Sequence, residues 1–164
     1  VEFARWYRDT GGHHGPIWFD RFESHRPLKS LLERIEADFG PQMAQQGVHW
    51  QALDHRSRVQ LTLTILSQVP VLWIWDNVEG VAGFPAGRPS LWSDAEQAEL
   101  RDFLSRLAHT QAKVLLTSRR DERGWLGELP VRLSPWWLCP CALAWFRWRP
   151  RRRVCGGPRV RSWP

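Results

Sequence analysis

Apolar positions along the chain fall into two periods, and these divide it into alternating elements. PLKSLLERIEADFG sets Leu28, Leu31, Leu32, Ile35 and Phe39 at helical spacing, with Pro27 suited to a first turn and Gly40-Pro41 to an exit. SDAEQAELRDFLSRLAH sets Leu100, Phe103, Leu104 and Leu107 on one face and opens on Ser93 three residues before Glu96, the spacing of a capping box. In VEFARWYRDTGG, Phe3, Trp6 and Tyr7 share a helical face and Gly11-Gly12 makes a stop. No N-cap precedes them, so the chain is expected to start inside a helix. Ser57 to Ser67 mixes leucines with threonines and fits either period, although its length and position favour helix. Gln42 to His55 has no clean period.

The remaining apolar runs are short and read as strands. GPIWFDRFE is aromatic and β-branched between turn residues. PVLWIWD is apolar at successive positions, so both faces of its strand would be buried, as in a parallel sheet with helices on each side. It should lie centrally. KVLLTSRR adds a second buried strand, Val114 to Thr117, and LPVRL a third, which Pro130 limits to an edge or a strand start. The order helix, strand, helix, helix, strand, helix, strand, strand predicts an α/β fold, a three-layer open parallel sheet.

Composition changes this picture only at the C-terminal end. At 164 residues with 43% hydrophobic content, the chain has the size and core of one ordinary domain. A net charge of +6 suggests an anionic partner only if the charge is spread over the fold. Residues 134 to 164 hold seven arginines and no acid, leaving 16 of the 23 basic residues against all 17 acids in the body. All three cysteines (Cys139, Cys141 and Cys155) lie in that same tail. A body without disulfides fits a reducing compartment. With no leader pattern and no apolar run near ~18 residues, a cytoplasmic protein that does not span a membrane is expected.

Ligands of open parallel sheets collect at the carboxyl ends of strands. Asp76-Asn77 with Glu79 follows VLWIW, and Thr117-Ser118-Arg119-Arg120 follows VLL. If those strands are neighbours, a carboxylate and a guanidinium meet at one crevice, which suits a phosphate ester with a divalent cation. Each has a plainer reading, Asp76 as a turn or cap residue and the arginines as a solvated loop. His13-His14 reads as a polar loop, with no third metal ligand at useful spacing.

VLWIWDNVEG resembles the Walker B strand, and KVLLTSRRDE the following sensor strand, of the STAND group of P-loop NTPases, which includes NB-ARC and bacterial regulatory ATPases often joined to TPR repeats. The similarity spans residues 1 to 133. It implies an ATP- or ADP-binding regulatory switch and slow ATPase, in which Asp76 holds Mg2+ through water, Arg119 senses the terminal phosphate, and Thr117 and Asn77 are further nucleotide-binding candidates. Asn77 stands where many relatives have a second acid, and Glu79 is a weaker substitute for a water-activating residue. Partners would be the nucleotide and, through signalling domains outside these residues, another copy or a partner protein. Family members also carry a GxxxxGK[ST] loop running into a helix, and VEFARWYRDTGG resembles the later part of that helix. No such loop occurs in these 164 residues. In the family's sheet the strand preceding that loop lies beside the sensor strand, so Val114 to Thr117 is expected to present an unpaired edge.

The tail, SPWWLCPCALAWFRWRPRRRVCGGPRVRSWP, has no helical or strand period and is expected to be irregular. Arginines on phosphate and indoles on bases would make it a nucleic-acid binder, the main alternative function for the chain. A metal role falls short, since Cys139, Cys141 and Cys155 do not make a four-ligand site. The plainest account is a GC-rich coding sequence read out of frame after about Ser134.

Overall fold

The computed structural model describes residues 2–85, 87–129, 131–134 and 144–148. Three parallel strands form the centre: β1 (Ile17–Arg21), β2 (Leu72–Asp76) and β3 (Lys113–Ser118). Helices α1 (Glu2–Asp9), α2 (Leu28–Gln45), α3 (His55–Gln68), α4 (Asp94–Leu107) and the single turn α5 (Arg123–Leu126) connect or flank them. Two further strands, β4 (Val131–Ser134) and β5 (Ala144–Trp148), give a sheet of order β1-β2-β3-β5-β4. The α/β class and the parallel β1-β2-β3 core are as the pattern predicts.

Alternation along β2 explains its continuous apolar run. Trp73 and Trp75 enter the larger core with Trp18, Val114, Leu116 and the apolar faces of α2, α3 and α4. Leu72 and Ile74 face the other way, with Leu115, and are covered by Ala4 and Tyr7 of α1. Trp73 sits at the middle of the larger core, edge-on to Trp18 at 5.0 Å and to Phe103 at 6.0 Å between ring centres. Each such fully buried side chain contributes roughly 1.5–3 kcal/mol of transfer free energy. Their indole N–H groups still need acceptors, and buried Asp20 supplies one to Trp73 at 2.8 Å.

Helix α2 differs from its expected end. Gly40-Pro41 does not stop it, and the helix runs on to Gln45 with Pro41 inside. An interior proline removes one backbone bond and costs about 3 kcal/mol. Burial of Met43 opposes that, and so does a true terminus further on, where Gly47 takes a left-handed φ of 75°. There Gly47 N–H donates to Ala44 and Val48 N–H to Met43, the paired bonds of a Schellman end. Asp54 caps α3 by accepting from Ser57 N–H at 2.7 Å, and Ser93 with Glu96 forms the expected capping box on α4.

The tail departs from expectation. Rather than leaving β3 as an unpaired edge, residues 144–148 pair antiparallel with it, Leu115 opposite Arg147 and Thr117 opposite Trp145. An exposed row of backbone donors and acceptors is a template for any extended segment that reaches it. As Pro130 suggests, β4 forms the outer edge, on β5. The three cysteines and the arginines beyond 148 lie outside the described residues, and with them the metal and nucleic-acid readings of the tail. Among the described residues no helix is long and apolar enough to cross a membrane.

Candidate functional site

The carboxyl ends of β2 and β3 lie side by side, with Trp75 in register with Leu116. One step beyond, Thr117 Oγ1 donates to Asp76 Oδ1 at 2.5 Å and accepts from Asn77 N–H at 3.1 Å. Chain direction changes at once after the acid, because Asn77 is left-handed (φ 59°, ψ 46°), a conformation its short polar side chain tolerates. The Asn77 side chain then donates to Glu23 at 2.8 Å, tying the end of β2 to the loop after β1. Asp76, Asn77 and Thr117 therefore form one hydrogen-bonded group. Asp76 Oδ2 has no hydrogen-bond partner among the described residues.

A 3-10 turn follows at Val78–Ala82 and presses against the loop after β1. Gly80 is required there: a Cβ would stand 2.7 Å from the Phe22 carbonyl oxygen. The turn carries Glu79 inward, where it is 2% exposed. Arg119 Nε donates to Glu79 Oε1 at 2.6 Å, and the guanidinium lies 4.2 Å from the ring centre of Phe84. Glu79 Oε2 is buried without a hydrogen-bond partner. Glu79 and Arg119 thus make a second group, and no hydrogen bond among the described residues joins it to the first.

Arg120 has a different task. Its Nη1 donates to the Gly83 carbonyl at 2.8 Å, its Nη2 to the Glu79 carbonyl at 3.1 Å, and its Nε to Glu122 at 2.9 Å. Glu122, 1% exposed, also accepts from Ser118 Oγ at 2.6 Å and Trp125 Nε1 at 2.8 Å. Every acceptor there is used, which marks a structural clamp between β3, α5 and the turn after β2.

Comparison with protein-family models, with curated proteins and with solved structures returned no match. Among the described residues, no three His, Cys, Asp or Glu side chains come together as a metal cluster. A carboxylate with one free oxygen does suit a hydrated divalent cation whose other ligands are waters and phosphate oxygens.

Sequence reasoning did not single out Asp20, Glu23, Phe84 or Glu122. Asp20 is buried beneath the end of β1 with Arg26 Nη1 at 2.8 Å, and Arg34 lies 3.6 Å away. Its signal was legible: it shares the strand face of Trp18, so an acid there must be paired. Glu122 gave no such sign, since its partners come from a strand end, a loop and a helical turn. His13, expected in a polar loop, is buried with Nε2 3.2 Å from the Pro16 carbonyl.

Proposed function

We propose that this chain carries the magnesium-side and sensor strands of a STAND-type, NB-ARC-like nucleotide switch. The observation that carries this reading is the Asp76–Thr117 hydrogen bond across the carboxyl ends of adjacent parallel strands, with Arg119 two residues further on. In this reading Asp76 Oδ2 holds a magnesium-bound water, and Thr117 keeps the carboxylate turned toward the crevice. Magnesium, when bound, supplies neutralisation of phosphate charge. Arg119 faces the terminal phosphate. Glu79 serves Arg119 rather than water, because it is buried and already ion-paired.

The phosphate cradle must come from outside these 164 residues, which contain no GxxxxGK[ST] run. The side of β3 where the resemblance places the cradle's strand is taken by β5. The chain by itself is thus expected to bind Mg-ATP weakly or not at all. In the intact protein, exchange of ATP for ADP at this site would switch conformation for signalling or regulation, with slow hydrolysis as the reset.

Two measurements test the proposal. Isothermal titration of Mg-ATP into the 164-residue chain should show no binding tighter than about micromolar, and submicromolar affinity would sink the assignment of a half site. Coding DNA just upstream of the Val1 codon should contain an in-frame GxxxxGK[ST] run. Its absence removes the family reading, whereas its presence makes the extended product a Mg-ATP binder that Asp76→Asn weakens in magnesium but not in EDTA.

A further inference from the structure

We infer that Glu79 and Phe84 aim Arg119 at a phosphate-class oxyanion, with Glu79 as the counter-charge that sets how firmly the anion is held. This rests on the placement of Arg119 on the ligand side of the β2 and β3 ends. The arginine side chain is 56% exposed, yet the carboxylate it binds is 2% exposed, so the guanidinium is rooted in the protein and open at its far end. Nε is committed to Glu79 at 2.6 Å, and the Phe84 ring covers one face of the guanidinium at 4.2 Å. Neither Nη atom has a hydrogen-bond acceptor among the described residues. The two Nη groups therefore present a planar fork to solvent, matched to two oxygens of a phosphate.

The unpartnered Oε2 of Glu79 sharpens the role. Among the described residues the one ion-pair partner of Glu79 is Arg119, bonded at the other oxygen, so its negative charge is offset only by that guanidinium. An anion on the Nη edge feels that charge across the arginine, at roughly 6 Å. Glu79 thus orients the fork and at the same time lowers its affinity, a setting suited to a ligand that must also leave. Phe84 contributes orientation alone, through its ring face.

The probe is inorganic phosphate, titrated into the full chain at low ionic strength and followed by the 15N–1H resonance of Arg119 Nε, which the Glu79 bond slows in exchange. Glu79→Gln keeps the shape and removes the charge. It should tighten phosphate binding about 10-fold, the effect of one unit charge ~6 Å away at an effective dielectric constant of ~40. Phe84→Ala, at a half-exposed position, should weaken binding about 3-fold, and Arg119→Ala should abolish it. A merely structural Glu79 would give weaker or unchanged binding in Glu79→Gln, and that result overturns the inference. So does an Arg119 signal that does not move up to ~100 mM phosphate, far above a millimolar Kd. The coding sequence upstream of Val1 separates the two assignments. If it holds no GxxxxGK[ST] run while the variants behave as stated, the receiver stands and the nucleotide reading falls. If the run is present and Glu79→Gln changes nothing, the reverse holds.

Discussion

Replacing Glu122 by alanine should strongly destabilise this protein, because its carboxylate is a buried hub of hydrogen bonds. The carboxylate accepts from Ser118 Oγ, Arg120 Nε and Trp125 Nε1, and it is 1% exposed. Removing it leaves two neutral donors buried without acceptors, at about 1–3 kcal/mol each, and strips a partner from an arginine. Breaking a fully buried pair costs about 3–5 kcal/mol. The Arg120 side chain is 29% exposed and keeps its bonds to the Gly83 and Glu79 carbonyls, so water and those acceptors recover part of the loss. The terms overlap rather than add, and the net is about 3–5 kcal/mol, a large share of the ~5–15 kcal/mol stability usual for a domain. Glu122→Gln should cost about 1–3 kcal/mol, because one acceptor survives while the amide N–H2 meets a donor. Urea denaturation followed by tryptophan fluorescence measures both. The control is Asp121→Ala next door, which removes an exposed pair with Arg123 and one bond from the Arg123 backbone N–H and should cost no more than about 1 kcal/mol. Equal midpoints for Glu122→Ala and Asp121→Ala would refute the clamp.

Gly80→Ala should lower the thermal midpoint by an amount equivalent to about 1–3 kcal/mol, because its Cβ would press the Phe22 carbonyl at 2.7 Å and one backbone must move. Thr117→Val, of equal shape, should cost about 1–2 kcal/mol by removing the donor to Asp76 and the acceptor of Asn77 N–H; an unchanged urea midpoint would count against the hydrogen-bonded group at the strand ends. Burial holds the His13 imidazole below its ordinary 6.5, with Lys113 and His14 adding to the effect and the Pro16 and Pro70 carbonyls opposing it. A depressed pKa means the unfolded chain takes the proton first, so this contribution is whole above pH 6.5 and is lost as pH falls toward the folded value. His13→Gln should flatten the urea midpoint against pH in that window, and an unaltered slope would show that His13 is not the group responsible.

Much of this protein follows from local pattern. The apolar spacing of α2 and α4, the capping residues Ser93 and Glu96, and the double-sided burial of Leu72 to Trp75 are short-range facts, since each depends on periodicity within one element. The placement of Asp76 and Arg119 at neighbouring strand ends was also foreseeable, because buried parallel strands joined by a helix pair side by side. Chain order alone could not decide what those side chains hold. Glu79 and Arg119 are 40 positions apart and meet only because a left-handed Asn77 turns the chain inward. Glu122 bonds partners within four residues of itself, but its burial depends on Arg120 also reaching the Gly83 and Glu79 carbonyls across the turn after β2. Helix α2 outran its proline because distant packing of Met43 and a Schellman end outweighed a local signal. Local propensity is worth a fraction of a kcal/mol per residue, whereas burial and paired charge are worth several, so tertiary contacts settled the cases in which the two disagreed.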